Sequence, residues 1–333
     1  MKGLRRILTI LLALVFMGSA SMVIAQLIQY RAGAQAYEQA TELADLPDLT
    51  QIPLAAAPEI PDDPEPILSG DAPLSEPAFE SSQTQTEAPP PVYQDPYADA
   101  LRNMDFSALR QVNEDVLGWI LIPNTKISYP LLQGEDNEFY LKHNWNKVRN
   151  STGSIYLECQ NSSDLSDFNT ILYGHRMSDR SMFGLLKKYK EPEYWNDHSV
   201  VYLTDTSGCR TYEVFAAFEV GVTQQTYRLG EFDEEAKQAF IDFSLEQSVI
   251  DTGVVPTVYD RILTLSTCTG NGHETRWVVQ AVLRGEAPSD TALEQMPEHI
   301  DAKNTQADSE PVPPEPPVEA PAESPVSQDI RRP

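Results

Sequence analysis

Three side chains in this 333-residue chain carry complementary chemistry: Cys268, His175 and Arg276. A thiolate is the reactive form of cysteine, and an unperturbed thiol with a pKa of about 8.5 is mostly protonated at neutral pH. A histidine within reach can exchange protons with the thiol, with a leaving amine and with an incoming nucleophile. Arginine stays protonated and cannot act as a base. It can hold a peptide backbone or stabilise the oxyanion that forms when sulfur attacks a carbonyl. Together the three supply acyl transfer through a thioester. Each alone has a plainer explanation: a small buried hydrophobe, a satisfied imidazole, a solvated cation. His143, His198, His273 and His299 are alternatives to His175, and His273 is the nearest to Cys268 in sequence.

The elements that must position these groups read mainly as strands. "ILTLSTC" (262–268) alternates, with Ile262, Thr264, Ser266 and Cys268 on one face and Leu263, Leu265 and Thr267 on the other. A Gly/Asn/His turn follows, and Arg276 opens the returning strand 277–283. "NTILYGH" is a further strand over 169–173, with His175 just past its end. Other strands are expected at 119–122, 126–132, 154–157, 200–204 and 211–217, bounded by turn residues. Eight short strands point to a sandwich or a closed barrel. Asp105 is expected to cap a helix carrying Phe106, Leu109 and Val112. A second, longer helix is expected over 232–247, with acids in its first turn.

The flanks differ in kind. "ILTILLALVFMGSASMVIA" (7–25) is uncharged and about 28 Å long as a helix, close to the thickness of a bilayer's hydrocarbon core. Lys2, Arg5 and Arg6 precede it, so the positive-inside rule keeps residues 1–6 in the cytoplasm and places the remainder outside. A cleaved signal peptide is the competing reading, but the apolar run is longer than a usual signal core. Residues 26–94 are acidic and Pro-rich overall; from 32 to 94 there are 12 acids and no Lys or Arg. They are expected to form a disordered stalk spanning roughly 45 Å. Residues 286–333 have the same character and are expected to be a disordered tail, leaving one folded domain over 95–285. A net charge of −26 without a basic stripe argues against nucleic acid. Cys159, Cys209 and Cys268 are an odd set of thiols; a Cys159–Cys209 disulfide is open, and no Cys/His spacing of the zinc type is present. No metal or other cofactor is expected.

At these residues the chain resembles the sortases, membrane-anchored cysteine transpeptidases of Gram-positive bacteria. "TLSTC" (264–268), "YGH" (173–175) and Arg276 match the family's Cys, His and Arg in order. "GWILIPNTKISYPLL" (118–132), "DNEFYLKHN" (136–144), "MFGLLKKY" (182–189) and a long helix before the cysteine strand resemble class B sortases in particular. The resemblance spans about residues 100–285. It implies an eight-stranded β-barrel with an N-terminal helix. It implies that a C-terminal sorting motif is cleaved after Thr by Cys268 (nucleophile), with His175 as general acid/base and Arg276 as oxyanion or substrate stabiliser. The acyl group would pass to an amine of peptidoglycan precursor or of a partner protein at the cell surface.

Four readings compete in the details. Asp95-Pro96-Tyr97 is similar to the lid motif of the pilus-building class C enzymes, or is simply a proline at a helix start. An L,D-transpeptidase-like enzyme also uses Cys and His at the wall, but places its arginine almost beside the cysteine. A stalked, non-enzymatic binding module would leave Cys268 inert.

Overall fold

In the computed structural model the described residues are 2–47, 49, 95–270 and 274–295. The Pro-rich segment from 50 to 94, the tail from 296 onward, and His273 and His299 lie outside them.

Eight strands close a barrel: β1 (Val116–Leu121), β2 (Ser128–Leu132), β3 (Ile155–Leu157), β4 (Asn169–Tyr173), β5 (Val200–Asp205), β6 (Gly208–Gly221), β7 (Ile262–Cys268) and β8 (Thr275–Pro288). Their order around the barrel is β1-β2-β3-β4-β7-β8-β6-β5. The β2–β3 and β4–β7 pairs are parallel and the rest antiparallel. The alternation in β7 is realised: Leu263 and Leu265 join the main buried core with Trp277, Val279 and Ala281. Ile262 faces outward under Phe240 of helix α5 (Glu234–Gln247). Cys268 shares the parity of Ile262 and so belongs to the outer face of the sheet. Helix α5 begins where the sequence places it, with Asp233 accepting from Ala236 N at 2.8 Å.

Two strands are longer than expected. β6 and β8 have 14 residues each and pair with one another along their length. Irregularities at Thr211/Tyr212 and Val214/Ala216 break the register, which hides the full extent of β6 from a simple alternation. β8 therefore runs to Pro288, and a short helix α6 (Asp290–Gln295) follows, so ordered structure extends past the expected boundary at 285.

The largest difference lies at the N-terminus. Helix α1 runs unbroken from Lys2 to Ala44, through the residues 26–44 that were expected to open the stalk. Those residues are rich in Ala, Gln and Glu, and no proline interrupts them before Pro47. Ala36, Ala40 and Ala44, spaced at four, are buried against Phe106, Leu109, Val116, Leu132 and Trp145. Trp145 donates its indole N–H to Ala36 O at 2.5 Å. Averaging over a long acidic stretch merged a packed helix with the Pro-rich sequence behind it.

Helix α2 (Pro96–Leu101) is capped by Asp95, whose Oδ1 accepts from Tyr97 N at 3.0 Å and Ala98 N at 3.2 Å. Asp95 is buried and also accepts from Thr211 Oγ1 (2.9 Å) and Tyr202 OH (3.2 Å), while Tyr97 stacks on Tyr202. Thr211 lies nine residues before Val220, the β6 partner of Arg276, or about 30 Å along the strand. Asp95-Pro96-Tyr97 is therefore a helix start at the far end of the barrel and covers nothing near Cys268. Helix α3 (Ser107–Val112) is preceded by Phe106 at the cap position, with Asp105 one residue further out, bonded to Ser107 N at 2.8 Å. All three cysteines are free.

Candidate active site

The parallel pairing of β4 and β7 sets Tyr173 opposite Ser266 and carries both strands out at the same end of the barrel. Past the last pair, Gly174 N donates to Ser266 O at 3.2 Å and Thr267 Oγ1 donates to Gly174 O at 2.7 Å. These bonds fix His175 beside Cys268. The antiparallel β7–β8 ladder places Arg276 directly opposite Cys268. The three residues singled out in the sequence thus meet at one rim. His143 and His198 sit elsewhere, each bonded to a carbonyl within its own segment, Phe139 O and Tyr194 O.

The imidazole is oriented from behind. His175 Nε2 lies 2.7 Å from Leu141 O, and a carbonyl can only accept, so Nε2 carries a proton and Nδ1 is the nitrogen left to exchange one. The backbone at Gly153 closes the other side: its φ of +58° suits glycine, and a Cβ there would come within 2.9 Å of the His175 ring. The hydrogen bond with Cys268 raises the His175 pKa above its usual value, against the lowering effect of burial. The same hydrogen bond lowers the Cys268 pKa, with Arg276, the imidazolium and Arg176 adding to it and desolvation opposing. The two shifts approach one another, which moves the equilibrium from the neutral pair toward the thiolate–imidazolium pair.

A tyrosine wall flanks the thiol on the outer face. Tyr156, Tyr173 and Tyr227 follow one another with ring centroids 5.5 and 6.4 Å apart. Tyr227 OH is 2.8 Å from Ser266 Oγ, and Tyr173 OH donates to the buried Glu158 carboxylate at 2.9 Å. Burial pushes the Tyr227 phenol up to about 12, so it stays a neutral hydrogen-bonding group at working pH. Glu158 also accepts from Asn137 Nδ2 at 2.7 Å. Tyr173 lies within the YGH motif, whereas Tyr156, Tyr227, Glu158 and Arg176 have no role assigned from sequence. The period-two placement of Tyr156 and Glu158 on β3 and the residue after it was the available signal. Tyr227 carried none, because only the fold brings it to Ser266.

The sortase domain family matches residues 120–284. The chain is 35% identical to sortase B of Staphylococcus aureus (strain NCTC 8325 / PS 47) over 164 residues, covering 49% of this chain and 67% of that protein. It is 39% identical to sortase B of Listeria monocytogenes serovar 1/2a (strain ATCC BAA-679 / EGD-e) over 163 residues, or 48% and 65% of the two chains. Among solved structures, a Staphylococcus aureus sortase B–substrate complex superposes with a TM-score of 0.51 at 32% identity, covering 54% of this chain and 84% of that one.

Proposed function

Because the chain belongs to the sortase family, we propose that it is a class B-like transpeptidase that cuts a sorting motif after Thr and passes the acyl group to a cell-wall amine. The observation that carries this reading is the His175–Cys268 hydrogen bond with Arg276 across the strand pair. The Cys268 thiolate attacks the Thr carbonyl carbon, and Arg276 stabilises the oxyanion that forms. The C–N bond breaks, and the leaving amine takes a proton from the His175 imidazolium. An acceptor amine then attacks the thioester and gives its proton to His175; the thiolate leaves and a new amide remains. The tyrosine wall offers one side of a site for the motif, and the similarity to a Staphylococcus aureus sortase B–substrate complex supports a substrate of the same class.

The proposed address is the Gram-positive cell membrane, single-pass, with residues 1–6 inside and the barrel outside. Helix α1 supports it: the helix is long and apolar enough to cross a membrane, and its apolar part is exposed. Two experiments test the reading. Incubation of the protein with a panel of sorting-motif peptides and an acceptor amine, read by mass spectrometry, should show a cut after Thr and a new amide. Protease added to intact, wall-stripped cells should remove the barrel; its protection would overturn the orientation.

A further inference from the structure

The strands define two ends of the barrel. β4 and β7 run toward the catalytic end, and β2 and β3 run away from it. The catalytic rim is therefore built from the segments that precede β2 and β3 and the one that follows β4: residues 122–127, 150–154 and 176–182. Helix α1 passes this rim on its way down the barrel. Asn150 Nδ2 donates to Gln29 O at 3.0 Å, and Gly33 lies so close to Thr152 that a Cβ would sit 2.9 Å from its hydroxyl. Tyr37 donates to Gly153 O at 2.5 Å. A cavity of about 420 Å³ between helix and rim is lined by Tyr30, Tyr37, Lys126, Asp179, Ser181 and Met182. Further on, Ala40 and Ala44 pack toward Val116, Leu132 and Leu109, away from the rim. The amino-terminal half of α1 thus projects outward beyond the catalytic end, not the opposite one.

The spacing along α1 is short. The apolar run ends at Ala25, before Gln26, and the first hydrogen bond to the rim is at Gln29. Four residues of helix rise about 6 Å, and the eight to Gly33 rise about 12 Å. A headgroup layer is roughly 5–8 Å thick on each side of the hydrocarbon core. Since α1 has no break between the apolar run and the docked part, no hinge separates the barrel from the membrane. The rim exposes Lys126, Arg176 and Arg180 at this end, with Asp179 among them and Glu38, Glu219 and Glu274 also exposed there, in a chain whose net charge is −26.

We propose that the catalytic end of the barrel rests against the lipid headgroups, with Cys268 opening toward the bilayer surface. The inference rests on the reading of residues 7–25 as a membrane anchor and adds to it a fixed orientation and distance. Lys126, Arg176 and Arg180 face anionic headgroups, and the opposite end, with Asp95 and Arg210, points away. The site then works in a thin layer above the membrane.

The test uses the full chain in phosphatidylglycerol/phosphatidylcholine vesicles doped with a headgroup spin-labelled lipid. In a Cys159→Ser, Cys268→Ala background, a fluorophore is attached through Ser181→Cys at the rim or Thr206→Cys at the far turn; the buried Cys209 should stay unlabelled, checked on the background chain by intact mass. The rim probe should be quenched at least three-fold more than the far probe. A flexible ten-residue Gly/Ser insertion between Gln26 and Leu27 should remove that difference. Equal quenching at both positions in the uninterrupted chain, or stronger quenching at Thr206→Cys, would overturn the proposal. Failure of the chain to pellet with the vesicles would overturn the anchor and the proposal together. Cleavage of soluble peptide by the chain that retains Cys268 reports on the enzymatic reading separately, and should be equal with and without the insertion.

Discussion

The two ends of the barrel each hold a cysteine near an arginine, and only at one of them is the thiol pKa lowered. At the far end Cys209 is fully buried, and burial pushes its thiol well above the usual range, with Asp95 adding to the rise. The neighbouring Arg210 is matched by Asp205 at 2.7 Å and Glu286 at 3.2 Å. At the catalytic end Cys268 is half-buried, and a histidine hydrogen bond outweighs desolvation. A cation close to a thiol is therefore not what activates it. The thiol also needs a hydrogen-bond partner that can hold the proton, and enough exposure to meet a carbonyl carbon. Cys159 makes the same point: burial and the adjacent Glu158 carboxylate raise its pKa.

The sharpest way to break this contrast is at the thiol itself. Cys268→Ala should abolish acyl-enzyme formation, seen by intact mass after incubation with peptide, whereas Cys209→Ala should leave it in place. Replacing the partner comes next. His175→Ala should lower kcat by about 10²–10⁴-fold in a folded protein. His175→Gln should move the midpoint of Cys268 alkylation by iodoacetamide upward, toward the usual thiol value of about 8.5. The sign follows from the hydrogen bond that lowers the Cys268 pKa in the native chain. Arg276→Lys should cost about 10²–10³ in turnover, since a point charge replaces a planar donor pair.

Smaller effects should sharpen the comparison from the other side. Tyr37→Ala should cost about 2 kcal/mol of stability, because it removes a half-buried ring and its bond to Gly153 O. It should also reduce kcat, since that backbone backs His175; denaturant titration and peptide kinetics separate the two effects. A chain beginning at residue 95 lacks this contact and the packing of Ala36, Ala40 and Ala44. It should be less stable than one that retains residues 26–47. Asp95→Ala should destabilise by about 1–2 kcal/mol through loss of its cap. It should leave peptide cleavage unchanged, where removal of a lid would speed it.

The meeting of the three candidate residues was readable because its signals are local in sequence: an alternating strand ending in Cys268, a strand ending before His175, and Arg276 at the opening of the return strand. The barrel was readable from eight apolar runs separated by turns. What could not be read depends on pairings between distant segments. Tyr227 reaches Ser266, and Glu158 reaches Tyr173, only once the sheet has formed. The docked half of α1 was missed for a different reason. Its buried face is three alanines at a spacing of four, and small residues give almost no apolar signal against an acidic background.

The parallel β4–β7 pair that joins His175 to Cys268 bridges 93 residues of sequence. Closing a loop of that length costs chain entropy before any contact compensates it, and folds dominated by such distant pairings assemble slowly. Until that closure the Cys268 side chain lacks its histidine, whose hydrogen bond is the main cause of its lowered pKa, and behaves as an ordinary thiol. Nucleophilic power is therefore a late product of folding, and a nascent chain stays chemically quiet until its topology is complete.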